Sequence, residues 1–203
     1  MTPLPRPEQV RALAYLKHKG TEAPVELLRR RIADAFADLE TMIASVPPSL
    51  RRRSLAPGRW SAQEVVDHLI ESHRPAVAQL EALLDELTPE SGAVPASLQS
   101  IDPLERNWDE LVVELKRVHA SLISLLGKAS DLCSLEVRVP VMMVMKADEP
   151  GAPSVQWEEQ LDWKAFAQTL RVHTIEHRSQ IERTLRELSD SETPEGALQN
   201  RER

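Results

Sequence analysis

Apolar residues recur at intervals of three and four along four long segments of the chain, with polar residues between them. The first segment reads Val25, Leu28, Ile32, Phe36, Leu39, Ile43, Val46 and stops at Pro47-Pro48-Ser49. The second extends from Ser61 to about Leu87. The third reads Leu104, Trp108, Leu111, Leu115, Val118, Leu122, Leu125, with Gly127 placed to cap it. The fourth occupies about Val155 to Leu188. This period marks amphipathic α-helices, each with one face to bury. Four such faces are buried most economically against one another, so the pattern predicts an all-α four-helix bundle. The second helix has an explicit start: Ser61 and Glu64 have the spacing of a capping box, and Trp60 and Val65 that of a hydrophobic staple. Pro75 lacks a backbone donor and is expected to bend that helix.

The connections are uneven. Residues 4–19 read as a short helical arm ahead of the bundle, and 88–103 as a Pro- and Ser-rich loop. Within the connection 128–154, the stretch 134–146 (SLEVRVPVMMVMK) is apolar and β-branched, the composition of a strand or hairpin. Connections of this length serve as crossovers or lids. The expected organisation is a single domain over 1–188, its arm within 1–20, with 189–203 as a flexible tail.

Composition narrows the function. Of 203 residues, 41% are apolar and 28% charged, ordinary for a globular protein, and the net charge of −7 argues against nucleic-acid binding. The Arg51-Arg52-Arg53 cluster reads as solvated surface. No run approaches the roughly 20 apolar residues of a membrane span, and the N-terminus lacks a signal-peptide pattern. Cys133 stands alone, so no intramolecular disulfide forms. The expectation is a cytoplasmic protein acting on a small molecule. Trp60 and Trp108 are assigned to packing; Trp157 and Trp163 fall in the first turns of the fourth predicted helix, as packing or at a pocket mouth.

The fourth helix carries the chemistry. Its buried stripe runs Phe166, Leu170, His173, His177, Ile181, Thr184, Leu188, so two imidazoles replace apolar residues in the core-facing arc. Unpartnered, each would cost about 1–3 kcal/mol. Positions four apart project side by side, and one divalent cation satisfies both rings. His68, beside the inward positions Val65 and Leu69, is the candidate third ligand. By helical phase His73 points elsewhere, His119 flanks its stripe without joining it, and His18 is exposed among lysines. Gln180 is the first choice to orient a ring through its second nitrogen; Glu64, Asp67 and Glu176 are further candidates.

The segments GRWSAQEVVDHL (58–69) and HTIEHRSQI (173–181) together resemble the DinB/YfiT-like metalloprotein superfamily. Its members show a Trp-Ser helix start, one histidine on the second helix, and His-x-x-x-His with a following Gln on the last. The resemblance covers the second to fourth helices, and 134–146 does not match its pattern. It implies a four-helix bundle with long crossover connections, often a homodimer, and metal ligands at His68, His173 and His177. It also implies enzymes that use low-molecular-weight thiols such as bacillithiol or mycothiol, or metal-dependent hydrolases. Zinc or nickel is the expected cation, with iron, cobalt or manganese also accepted by three imidazoles.

Two other readings compete. HTIEH also fits the H-x-x-E-H pattern of a zinc protease class, but a helix turns Glu176 about 100° from His177, and nothing else in the chain resembles those enzymes. Alternatively the bundle is non-catalytic, a stress-associated structural or dimerising module. A water-accessible cavity beside the histidines favours an enzyme, whereas a site closed by Trp60, Met142 or Met143 favours the structural protein.

Overall fold

A computed structural model describes residues 6–147 and 153–192. The arm is helix α1 (Pro7–Leu16), which passes into a π-turn at Lys17–Thr21. The bundle helices are α2 (Val25–Ala44), α3 (Ala62–Leu84), α4 (Trp108–Lys128) and α5 (Trp163–Glu192). Between the last two lies an antiparallel hairpin, β1 (Val139–Met145) and β2 (Val155–Leu161), in which Val139 faces Leu161 and Met143 faces Trp157. The hairpin expected around 134–146 is present, but its second strand occupies residues assigned above to the fourth helix. Val155 and Leu161 are buried and Trp157 half-buried, alternating with exposed Gln156, Glu158 and Gln160. That period of two gains its hydrogen bonds from β1, a partner the local sequence does not reveal. Helix α5 starts after Asp162, whose Oδ1 accepts from the Lys164 and Ala165 amides at 3.0 Å. The expected tail beyond residue 192 lies outside the described residues; 189–192 continue the helix.

Each local start has a physical cause. Glu64 Oε2 accepts from the Ser61 amide and hydroxyl at 2.8 and 2.7 Å, completing the capping box of α3. Asn107 Oδ1 accepts from the amides of Asp109 and Glu110, so α4 begins at Trp108 rather than Leu104, and it continues through Gly127. Pro75 is accommodated inside α3. Gly20 lies so close to α5 that a Cβ would come within 2.9 Å of the Ala165 Cα and the Lys164 carbonyl oxygen, which only glycine allows.

Helix α3 packs on α4 and α5, and α2 also packs on α4 and α5, so helices consecutive in the chain, α2 with α3 and α4 with α5, sit diagonally. Long connections make that crossing feasible. The loop from Asp85 to Asn107 is fastened along α3: Gln63 Nε2 reaches the carbonyls of Pro103, Leu104 and Arg106, and Gln99 Nε2 donates to the Glu64 carbonyl.

The apolar core forms two clusters. The break between them falls after Phe36 on α2, between Ile70 and Ala76 on α3, between Leu115 and Val118 on α4, and between Leu170 and Ile181 on α5. His68, His73, His119, His173 and His177, five of the six histidines, lie at or beside this break. A polar layer of imidazoles therefore divides the bundle core. His18 is outside it and exposed, as expected.

Candidate metal centre

Helices α3 and α5 bring His68, His173 and His177 together, with one nitrogen of each within 4.8 Å of the others. His173 Nε2 stands 3.0 Å from His68 Nε2 and 3.0 Å from His177 Nε2. The opposite nitrogens are committed elsewhere. His68 Nδ1 lies 2.7 Å from the Leu98 carbonyl oxygen, which can only accept, so Nδ1 carries the hydrogen and Nε2 presents a lone pair. His177 Nδ1 donates in the same way to Gln180 Oε1 at 2.9 Å. Lone pairs of His68 and His177 thus point at the nitrogen of His173 between them. Without positive charge they repel. A proton on His173 Nε2 relieves this partly, and a cation about 2.0–2.1 Å from each nitrogen does so for all three. The donor set fits a divalent metal.

Electrostatics keeps the rings neutral and ready to ligate. Burial lowers the pKa of His68, against opposing contributions from the Leu98 carbonyl and Asp67. Burial, reinforced by neighbouring rings, holds His173 and His73 well below the ordinary value. Burial and His68 push His177 down to about 4. Burial also lowers His119, partly offset by Glu40. The unfolded chain therefore binds more protons than the folded one below about pH 6.5. Metal-free protein is expected to be most stable above that pH and to lose stability as the pH falls to 5.5, His177, pushed down to about 4, contributing about 1 kcal/mol of that loss. Urea unfolding of chelator-treated protein at pH 7.5, 6.5 and 5.5 measures this; an unchanged midpoint would show that the rings are already charged in the fold.

The groups proposed to orient the ligands divide. Gln180 contacts His177 directly. Glu64 does not turn to the histidines, because its carboxylate caps α3. Asp67 is fully buried and also turns away, accepting from the Ser100 amide and hydroxyl at 2.8 Å and from Arg106 at 2.7 Å. It acts one step removed, since Ser100 lies two residues from the Leu98 carbonyl that orients His68. Glu176 is exposed on α5 and lines a pocket of about 410 Å3 with Gly58, Arg59, Trp60, His177, Gln180 and Arg183. Gly58 has φ of 78°, a glycine conformation that turns the chain just before Arg59 and Trp60. The Trp60 ring lies 4.8 Å from that of His68 and 6.1 Å from that of His177, so this packing residue also walls the site. Trp163 is buried in the core and Trp157 lies in the hairpin; neither lines this pocket. Met143 packs with the other cluster.

Two histidines occupy positions that helical phase did not anticipate. His73 is fully buried, and its Nε2 lies 3.2 Å from His173 Nδ1. His119 is also buried, stacked on Phe36 at 3.9 Å, with Nδ1 donating to Glu40 at 2.7 Å. The phase argument assumed one buried stripe per helix. Helix α3 touches both α4 and α5, so its buried arc is wide enough to take in both His68 and His73.

Fold and site together define a four-helix bundle with a histidine cluster suited to a divalent cation. The solved structure of YfiT from Bacillus subtilis, described as "a probable metal-dependent hydrolase with an unusual four-helix bundle topology", matches over 93% of both chains, with a TM-score of 0.59 and 15% identity. An uncharacterised protein from Escherichia coli UTI89 matches over 82% of this chain and 95% of its own, with a TM-score of 0.55 and 12% identity. At such identities the likeness is one of fold. No protein-family model matches the sequence. No curated protein matches it either. Among the described residues no helix is long and apolar enough to cross a membrane.

Proposed function

We propose that His68, His173 and His177 bind a divalent cation, zinc or nickel, and that the protein is an enzyme acting on a small electrophilic substrate in the adjoining pocket. The observation that carries this reading is the convergence of three Nε2 atoms, two of them with Nδ1 already tied to an acceptor. Three neutral nitrogens leave coordination positions free, the arrangement of a catalytic rather than a closed site. His177, half-buried, lines the pocket with Trp60, so a small molecule held there adjoins one of the three ligands. A cation there supplies the Lewis acidity by which water or a low-molecular-weight thiol becomes a nucleophile near neutral pH. Within the pocket, Arg59 and Arg183 hold anionic parts of a substrate, Trp60 offers a flat apolar wall, and Glu176, the one carboxylate of the lining, accepts a proton. The fold likeness to YfiT, with its printed description, supports the hydrolase form.

The test incubates zinc- or nickel-loaded protein with an activated ester and with an alkylating electrophile, each with and without a low-molecular-weight thiol. Product masses show whether water or thiol has been added. Turnover that a chelator removes and the metal restores is the expected result. A protein that takes up neither metal overturns the proposal.

A further inference from the structure

We infer that His73 is a fourth histidine of this site, a positioning residue whose Nε2 accepts the Nδ1 hydrogen of His173 and so holds the His173 Nε2 lone pair toward the cation. The inference rests on the metal-binding reading above. His68 and His177 each have an oxygen to orient them, the Leu98 carbonyl and Gln180 Oε1. His173 stands between them, and the only hydrogen-bond partner found at its Nδ1 among the described residues is His73 Nε2, at 3.2 Å. A neutral imidazole carries one hydrogen, so the contact allows two arrangements. If His73 donates, His173 is protonated at Nε2 and cannot ligate. If His173 donates, its Nε2 lone pair is free for metal. Cation binding therefore selects the second arrangement, and His73 is the acceptor that pairs the His173 Nδ1 hydrogen in it.

The surroundings of His73 fit this role. It is fully buried on α3, so its side chain has no solvent to turn to, and its Nδ1 has no partner in the structure. In the ligating arrangement that Nδ1 carries the hydrogen. The neighbouring ring of His119, 5.8 Å away between centroids, donates from Nδ1 to Glu40 and leaves an unpartnered Nε2 lone pair. A donor and an acceptor thus remain on adjacent buried rings. No hydrogen bond joins these two rings, so the tautomer that a bound cation demands at His173 fixes that of His73 alone.

The test compares His73→Phe, which fills the space without an acceptor, with His73→Gln, whose Oε1 restores one. Zinc affinity is measured by competition with a chromophoric chelator, and the melting temperature of each metal-free variant is recorded. His73→Phe is expected to bind about 10–100-fold more weakly than wild type, the usual effect of losing such an orienting partner, with His73→Gln recovering most of the loss. In zinc-loaded wild type, nitrogen-15 NMR should place the His173 hydrogen on Nδ1. Wild-type affinity in His73→Phe, or an equal loss in both variants, would each overturn the inference while leaving the metal site standing, whereas a hydrogen on His173 Nε2 would overturn the inference and also remove His173 from the ligands. A wild-type protein that binds no zinc would overturn both.

Discussion

His173→Ala is expected to weaken binding of zinc or nickel at least about a hundredfold, beyond the 10–100-fold typical of losing an orienting group. His173 is the hub of the cluster, since both other Nε2 atoms lie 3.0 Å from its own. Without it His68 and His177 offer two nitrogens from two helices, too few for a stable site. The consequence is also thermodynamic. A ligand at 1,000 times its dissociation constant stabilises the folded chain by about 4 kcal/mol, which for a chain of this size raises the melting temperature by roughly 10 °C. Wild type should show that rise on zinc addition and His173→Ala almost none. Metal-free His173→Ala should itself melt below wild type, because alanine removes the ring's contacts with His68, His73 and His177, so the zinc-induced rise is read against each protein's own metal-free melt. Calorimetric titration with thermal melts measures both quantities. Equal stabilisation of the two proteins would place the cation elsewhere.

Asp67→Ala should be the most destabilising single change near the site, about 3 kcal/mol. The carboxylate is fully buried and accepts three hydrogen bonds, two from Ser100 and one from Arg106. Arg106 also pairs with Glu71 and Glu114, and Arg74 joins the same carboxylates, so the network ties α3 to α4 and to the end of the loop between them. Alanine leaves the Ser100 amide without its acceptor and Arg106 with two acidic partners in place of three. The loop then slackens beside Leu98, and His68 loses its fixed orientation. A fall of about tenfold in metal affinity should accompany the lost stability. Asp67→Asn, which keeps an acceptor but not the charge, should fall between. Urea unfolding and chelator competition report the two effects; a stability change under about 0.5 kcal/mol would mean that the loop is held by Gln63 and Gln99 alone.

Helix formation is a local matter, and it was legible. The intervals of three and four located the four bundle helices, and Ser61 with Glu64 marked the start of α3 because a capping box is made within four consecutive residues. The convergence of His68, His173 and His177 was legible too, since His173 and His177 interrupt an apolar arc that had to face inward and His68 lies beside the inward positions Val65 and Leu69. Other features depended on partners distant in the chain. Residues 155–161 form a strand because β1 supplies their hydrogen bonds, and the helical reading had no access to that partner. Glu64 and Asp67 stand close to His68 in sequence, yet one caps a helix and the other anchors a loop. The acceptor that orients His68 is a backbone carbonyl, which no side-chain pattern announces. His73 was set aside on the phase of one helix, whereas its burial follows from α3 having two neighbours. By itself the sequence determined which helices form and that His68, His173 and His177 turn inward, because periodicity and capping act over a few residues. Only the tertiary structure decided which nitrogen of each ring is free, because that depends on what packs against the ring's other side.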